Sequence, residues 1–191
     1  MLRVLLVDDT GKDIRILHDA LAAAGHEVVG EVETALDLIR QIERTSPDIV
    51  IVDTESPSRD VLEQISIVSQ NTPRPIVMFT DDGDQASIES AFSAGVTTYI
   101  VEGLQPERVR SILDVARARF ATEQALRDEL DRTRGELAAR KSIERAKGLL
   151  MASRKIGEDE AFVLMRRMAM DRQTSLLAIA EQVIAAKELL G

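Results

Sequence analysis

The sequence predicts an α/β domain built on a five-stranded parallel sheet, followed by a long helix and a three-helix bundle. Three observations lead there. Short continuous apolar runs alternate with amphipathic stretches as far as Phe120, the pattern of strands buried on both faces and joined by crossover helices. Beyond Pro106 no strand run survives, and residues 107–154 contain no proline. Charge divides the same way: residues 1–129 carry 12 Lys+Arg against 24 Asp+Glu, a balance of −12, while residues 130–191 carry 12 against 9, a balance of +3.

The strands are read in order as Arg3 to Val7, a weaker run at Glu27 to Glu31, then Ile49 to Val52, Pro75 to Phe79 and Thr98 to Val101. Between and after them, Asp13 to Ala24, Ala35 to Arg44, Asp60 to Gln70, Gln85 to Ala94 and Pro106 to Phe120 repeat their apolar residues at helical spacing. Gly25 and Gly95 each follow an alanine at a helix end, where a left-handed residue closes the last turn. In such sheets a ligand sits at the carboxyl ends of the strands. Asp8, Asp9, Asp53 and Thr80 fall there.

The helix that starts near Pro106 is expected to run to about residue 154, interrupted in composition only by Gly135 and Gly148. Leu126, Leu130, Thr133 and Leu137 are spaced four, three and four, a short coiled-coil seam, with Ile112, Ala116 and Arg119 continuing the register upstream imperfectly. The stripe reads as a homodimer seam; packing on its own domain satisfies the same spacing. Gly157 ends the helix, and Glu158, Asp159 and Glu160 put three acids in the next first turn, where the helix dipole favours them. Ala161, Leu164, Met165 and Met168 form the apolar stripe of that helix, and Phe162 is read with them as core. A last helix begins near Thr174 or Ser175 as N-cap and buries Leu176, Ile179, Ala180, Val183, Ile184 and Leu190.

Composition excludes several classes. At 191 residues, 45% apolar and 30% charged, the chain can bury one full domain and a smaller helical one. It has no cysteine, and two histidines, His18 and His26, make no structural zinc site alone. The N-terminal run reads as a buried strand rather than a signal peptide, and nothing approaches the ~20 apolar residues of a membrane helix. A soluble cytoplasmic protein with no membrane partner is expected. A polyanion would meet the C-terminal part, since the acidic first part repels it.

Across its first 120 residues the chain resembles the receiver domain of two-component response regulators, a flavodoxin-like fold, through Asp8 and Asp9 after the first strand, Asp53 after the third, Thr80 after the fourth and Tyr99 in the fifth. The resemblance implies Mg²⁺ held by Asp8, Asp9 and Asp53, Asp53 as phosphoacceptor for a histidine kinase, and Thr80 and Tyr99 as switch residues. The physics is consistent, since a hard cation relieves the repulsion of converging carboxylates and neutralises a phosphoryl oxygen. Retention of the metal pocket without phosphotransfer fits the same acids, and strand-end packing fits Thr80 and Tyr99. The family normally has a lysine after the fifth strand; here Glu102 and Gly103 stand there. A carboxylate repels a phosphoryl dianion where an ammonium would attract it.

The C-terminal part resembles the ANTAR domain through Ala146, Lys147, Gly148, Leu150 and Met151 on one helix and Glu160, Ala161, Phe162, Leu164, Arg166, Ala169 and Met170 on the next. The resemblance implies binding to paired hairpin loops in leader RNA, so that a terminator cannot form. Lys147, Arg154, Arg166, Arg167, Arg172, Gln173 and Thr174 are the candidate RNA contacts, and small Ala146 and Gly148 should let Lys147 be presented without a bulky fence. With Phe162 assigned to the core, base contacts fall to guanidinium stacking and side-chain hydrogen bonds.

Together the chain is similar to the AmiR/NasT family of antitermination regulators, most like the NasT branch associated with nitrate assimilation. The expected domains are a receiver over 1–120, a coiled-coil linker helix over 121–137 and an ANTAR domain over 138–191. Input from a ligand-sensing regulatory protein accounts for Glu102. A kinase-driven regulator with the same RNA output and a protein-interaction module without RNA are the alternatives.

Overall fold

The computed structural model describes residues 1–8, 15–34, 37–101 and 105–189. Five strands, β1 (Arg3–Asp8), β2 (Glu27–Val32), β3 (Ile49–Thr54), β4 (Ile76–Thr80) and β5 (Thr98–Val101), form one parallel sheet in the order β2-β1-β3-β4-β5. Helices α1 (Arg15–Ala23), α2 (Leu38–Thr45), α3 (Arg59–Asn71) and α4 (Gln85–Ala94) lie between them in sequence. A 3₁₀ turn, Pro106–Arg108, leads into the 46-residue helix α5 (Val109–Arg154), followed by α6 (Glu158–Asp171) and α7 (Leu176–Leu189).

The near-continuous apolar runs are explained by two cores, one on each face of the sheet. Val4, Leu6, Ile49, Ile51, Val77 and Phe79 point to α1 and the start of α5, meeting Leu17, Leu21, Val109 and Leu113. The alternate residues Leu5, Val7, Val50, Val52, Ile76 and Met78 meet Leu38, Ile42, Val61, Ile65 and Ala91 from α2, α3 and α4. Strand period two therefore fills both cores from the same runs, and each large side chain so buried stabilises by ~1.5–3 kcal/mol.

Ile112 and Ala116 belong to the first of these cores and are buried. They are not an upstream part of the coiled-coil seam, as their spacing suggested; the sheet claims that turn of α5 first. Arg119 instead lies over the ring of Phe92, 5.9 Å from its centroid. Gly25 and Gly95 both take positive φ, 78° and 108°, as their places at helix ends required.

The chain separates into two compact units, Met1–Gln124 and Ala125–Gly191, with the boundary inside α5. In the second unit Ala146, Leu150, Ala161, Met165, Ala169, Ile179 and Ala180 form a core that Ile143, Met151, Ile156, Leu164, Met168, Leu176, Val183 and Ile184 partly cover. Ser175 caps α7 by accepting the Ala178 N–H at 3.1 Å, and the Glu160 carboxylate accepts the Gly157 N–H at the start of α6, at 3.4 Å. Leu190, expected in this core, lies outside the described residues.

Candidate functional site

Sheet register builds the acidic pocket. Asp8, the last residue of β1, is the Cα partner of Asp53 in β3, and Thr54 is the partner of Thr80 at the end of β4. Two half-buried carboxylate residues thus stand side by side at the carboxyl end of the sheet, with Thr80 one strand further on. Asp9 and Glu102 lie outside the described residues, and among the described ones no group of three or more His, Cys, Asp or Glu converges. The oxygen-only donors Asp8 and Asp53 suit a hard divalent cation and no soft one.

Thr80 and Tyr99 are engaged with the loops around this pocket. The buried Thr80 hydroxyl donates to the Glu55 carbonyl at 2.8 Å and accepts the Asp82 N–H at 3.2 Å. The Tyr99 hydroxyl donates to the Asp82 carbonyl at 2.8 Å. The Asp82 carboxylate in turn accepts the Ser56 hydroxyl at 2.7 Å and the Asp84 N–H at 2.9 Å. That N–H foremost, then the Ser56 and Ser87 hydroxyls, holds the Asp82 carboxyl below the usual carboxylate range. Burial first, and then the Asp82 charge, pushes the Tyr99 phenol up. Ser56 and Asp82 were not singled out from the sequence. The signal for Asp82 was the run Asp82-Gly83-Asp84, whose first acid folds back on the backbone two residues on, while Ser56 reaches it from 26 residues away.

In the second unit the expected RNA contacts divide. Lys147 departs from expectation: it is buried, and its Nζ reaches Glu158 Oε1 at 2.7 Å and Glu144 Oε1 at 2.9 Å. Ala146 is buried in the core of this unit, whereas Gly148 is exposed and a Cβ there would meet nothing within 4 Å; the acidic first turn of α6 takes the ammonium. Arg154, Arg166, Arg167, Arg172, Gln173 and Thr174 are all exposed. Arg167 approaches Asp171 at 3.9 Å, and Arg172 donates to Gln182 Oε1 at 2.6 Å. Gln173 sits in the turn after α6 with φ of 50°. Phe162, expected in the core, is instead 39% exposed and outside the group that packs it. Its neighbour Ala161 occupies the inward position, and one residue along a helix turns the side chain by ~100°.

Comparison with known proteins agrees with both halves of this geometry. The response regulator receiver domain family matches residues 4–114, and the ANTAR domain family matches residues 131–184. The transcriptional regulatory protein PdtaR of Mycobacterium tuberculosis is 32% identical over 189 residues, 99% of this chain and 91% of that protein. This chain belongs to the response regulators that join a receiver to an ANTAR domain. The receiver half of this response regulator is also 32% identical over 113 residues to the chemotaxis protein CheY of Thermotoga maritima, 59% of this chain and 94% of that one. Its fold matches the signal receiver domain of NarL from Mycobacterium tuberculosis, with a TM-score of 0.53 at 22% identity, covering 60% of this chain and 95% of that one. Among the described residues of this regulator no helix is long and apolar enough to cross a membrane.

Proposed function

We propose that this response regulator is a transcription antiterminator that binds paired hairpins in leader RNA, its receiver taking input from a partner protein. The observation that carries the proposal is the exposed cationic surface of the ANTAR unit, Arg154, Arg166, Arg167 and Arg172 around the outer side of α6 and its ends. A strongly acidic receiver leaves this as the polyanion-facing part of the chain. Leu126, Leu130 and Leu137, exposed on α5, support a homodimer in which two protomers hold two hairpins, so that the second contact gains from effective concentration. Glu102 supports partner-protein input, and similarity to the NasT branch extends the proposal to nitrate assimilation. In-vitro selection of hairpin RNAs on the full chain tests the output: enrichment of loop sequences is expected, and its failure would leave a protein-interaction module.

Kinase input has a specific observation in its favour, the adjacent Asp8 and Asp53 with Thr80 one strand away. Asp8, Asp9 and Asp53 would hold Mg²⁺, which when bound neutralises charge on a phosphoryl oxygen. Asp53 would then be the acceptor, and Thr80 would exchange its Glu55 carbonyl for the phosphoryl group. Incubation with acetyl phosphate separates the two inputs.

A further inference from the structure

The outer face of α6 carries three apolar side chains that its core does not use, Phe162, Val163 and Met170. Ala161, Met165 and Ala169, four residues apart, face inward and are buried. Phe162, Arg166 and Met170, each one residue further on, share a different face of the same helix. Phe162 is 39% exposed and Met170 70% exposed, and Arg166 stands between them, also exposed. Among the described residues Arg166 makes no side-chain hydrogen bond or ion pair, whereas Arg167 approaches the Asp171 carboxylate and Arg172 donates to the Gln182 amide oxygen.

We infer that Phe162, Arg166 and Met170 form a stacking platform for an unpaired base of loop RNA, with Arg166 also reaching the flanking phosphate. The inference rests on the proposed RNA output and names the residues that would give it base contact. Charge selects the occupant. An apolar protein surface laid over this face would bury Arg166 without a counter-charge, at a high desolvation cost. A nucleotide brings both a π-face for the Phe162 ring and an anion for the guanidinium. Met170 is soft and adaptable enough to close over a base of either size. The surrounding residues 130–191 carry a net +3, the sign RNA requires. Every base has a π-face, so this contact supplies affinity, and the polar side chains around it select the sequence.

The experiment uses the full chain and a hairpin RNA recovered by in-vitro selection on that chain from a library with a randomised loop. Absence of any enriched RNA would remove the RNA output itself. Given a bound RNA, Phe162→Ala should weaken affinity roughly ten- to a hundredfold, the loss of one stacked base, with an unchanged circular dichroism melt. Phe162→Tyr should stay within about twofold of the parent. The chain has no tryptophan, so Phe162→Trp places a single indole on this face, and its emission should be quenched as RNA saturates. That readout holds even if Phe162→Ala fails to fold. Phe162→Ala affinity within about twofold of the parent, or unquenched emission from F162W at saturation, overturns the inference. Loss of dimer mass in Phe162→Ala by sedimentation, with RNA affinity unaltered, also overturns it and gives the face to a second copy.

Discussion

Lys147 Nζ lies 2.7 Å from Glu158 Oε1, joining the last turns of α5 to the first turn of α6 across the Gly157 break. The bond to Glu158, and then that to Glu144, raises the Lys147 pKa, and Lys147 lowers that of Glu158 from its ordinary 4.5. Lys147 is thus a tie within the ANTAR unit. Lys147→Ala should lower the melting temperature of that unit and disturb RNA binding only through the fold. Arg166→Ala should do the opposite, leaving the melt alone and weakening RNA, with a salt dependence flatter by ~0.7 in log-log slope for single-stranded RNA. The sign with pH follows from the lowered carboxyl. The stability Glu158 contributes is fully present above its unfolded value and is lost as pH falls through the lower folded one. Melts of the parent and Glu158→Gln should therefore converge below pH 4.5. A Lys147→Ala variant with unchanged melting and weakened RNA binding would return this residue to the interface.

The seam residues Leu130 and Leu137 are 49% and 55% exposed in the single chain. Leu130→Asp with Leu137→Asp should convert a dimer to monomer by sedimentation, since two charges in an apolar seam are left unpaired. Affinity for a two-hairpin RNA should then fall by roughly a hundredfold or more, the scale of lost linkage, with little change for one hairpin. Equal losses on both RNAs would argue against paired binding.

Asp53 tests the route of input. If a partner protein supplies it, Asp53→Asn should leave antitermination in cells nearly intact, measured with a terminator–reporter fusion. Glu102→Lys should speed labelling by acetyl phosphate, because it exchanges repulsion for attraction at a phosphoryl dianion. A stable phosphorylated form of the parent, with activity lost in Asp53→Asn, would establish the kinase route instead.

Gly95 and Gly25 both have positive φ, yet their substitution should not cost the same. A Cβ at Gly95 would lie 2.5 Å from Ser69 Cβ on α3, while one at Gly25 meets nothing within 4 Å. Gly25→Ala should cost only the left-handed strain, ~1–2 kcal/mol. Gly95→Ala adds overpacking against α3 and should cost ~2–5 kcal/mol in all by urea denaturation. Equal costs would mean that α3 yields freely.

Most of the fold was legible because its signals are local and repeat. Strand runs at period two, helix runs at 3.6, and glycines at helix ends each need only a few neighbouring residues to be read. The same holds for Asp8, Asp53 and Thr80, which stand at strand ends whatever the rest of the chain does. Side-chain destination is different, because it depends on what arrives from elsewhere in the chain. Ile112 and Ala116 fit the upstream seam by spacing, and only the packed sheet shows that α5 spends that turn on the receiver core. Phe162 and Ala161 are adjacent on an amphipathic helix, and the helical phase that buries the smaller one is fixed by α7 and the end of α5. Lys147 has the composition of a ligand-facing cation, but the fold brings the Glu158 carboxylate to it from eleven residues away. Sequence determined which residues form strands and helices through near-neighbour physics; tertiary packing decided which charges and rings remain for a partner, since burial and pairing are settled by distant parts of the chain.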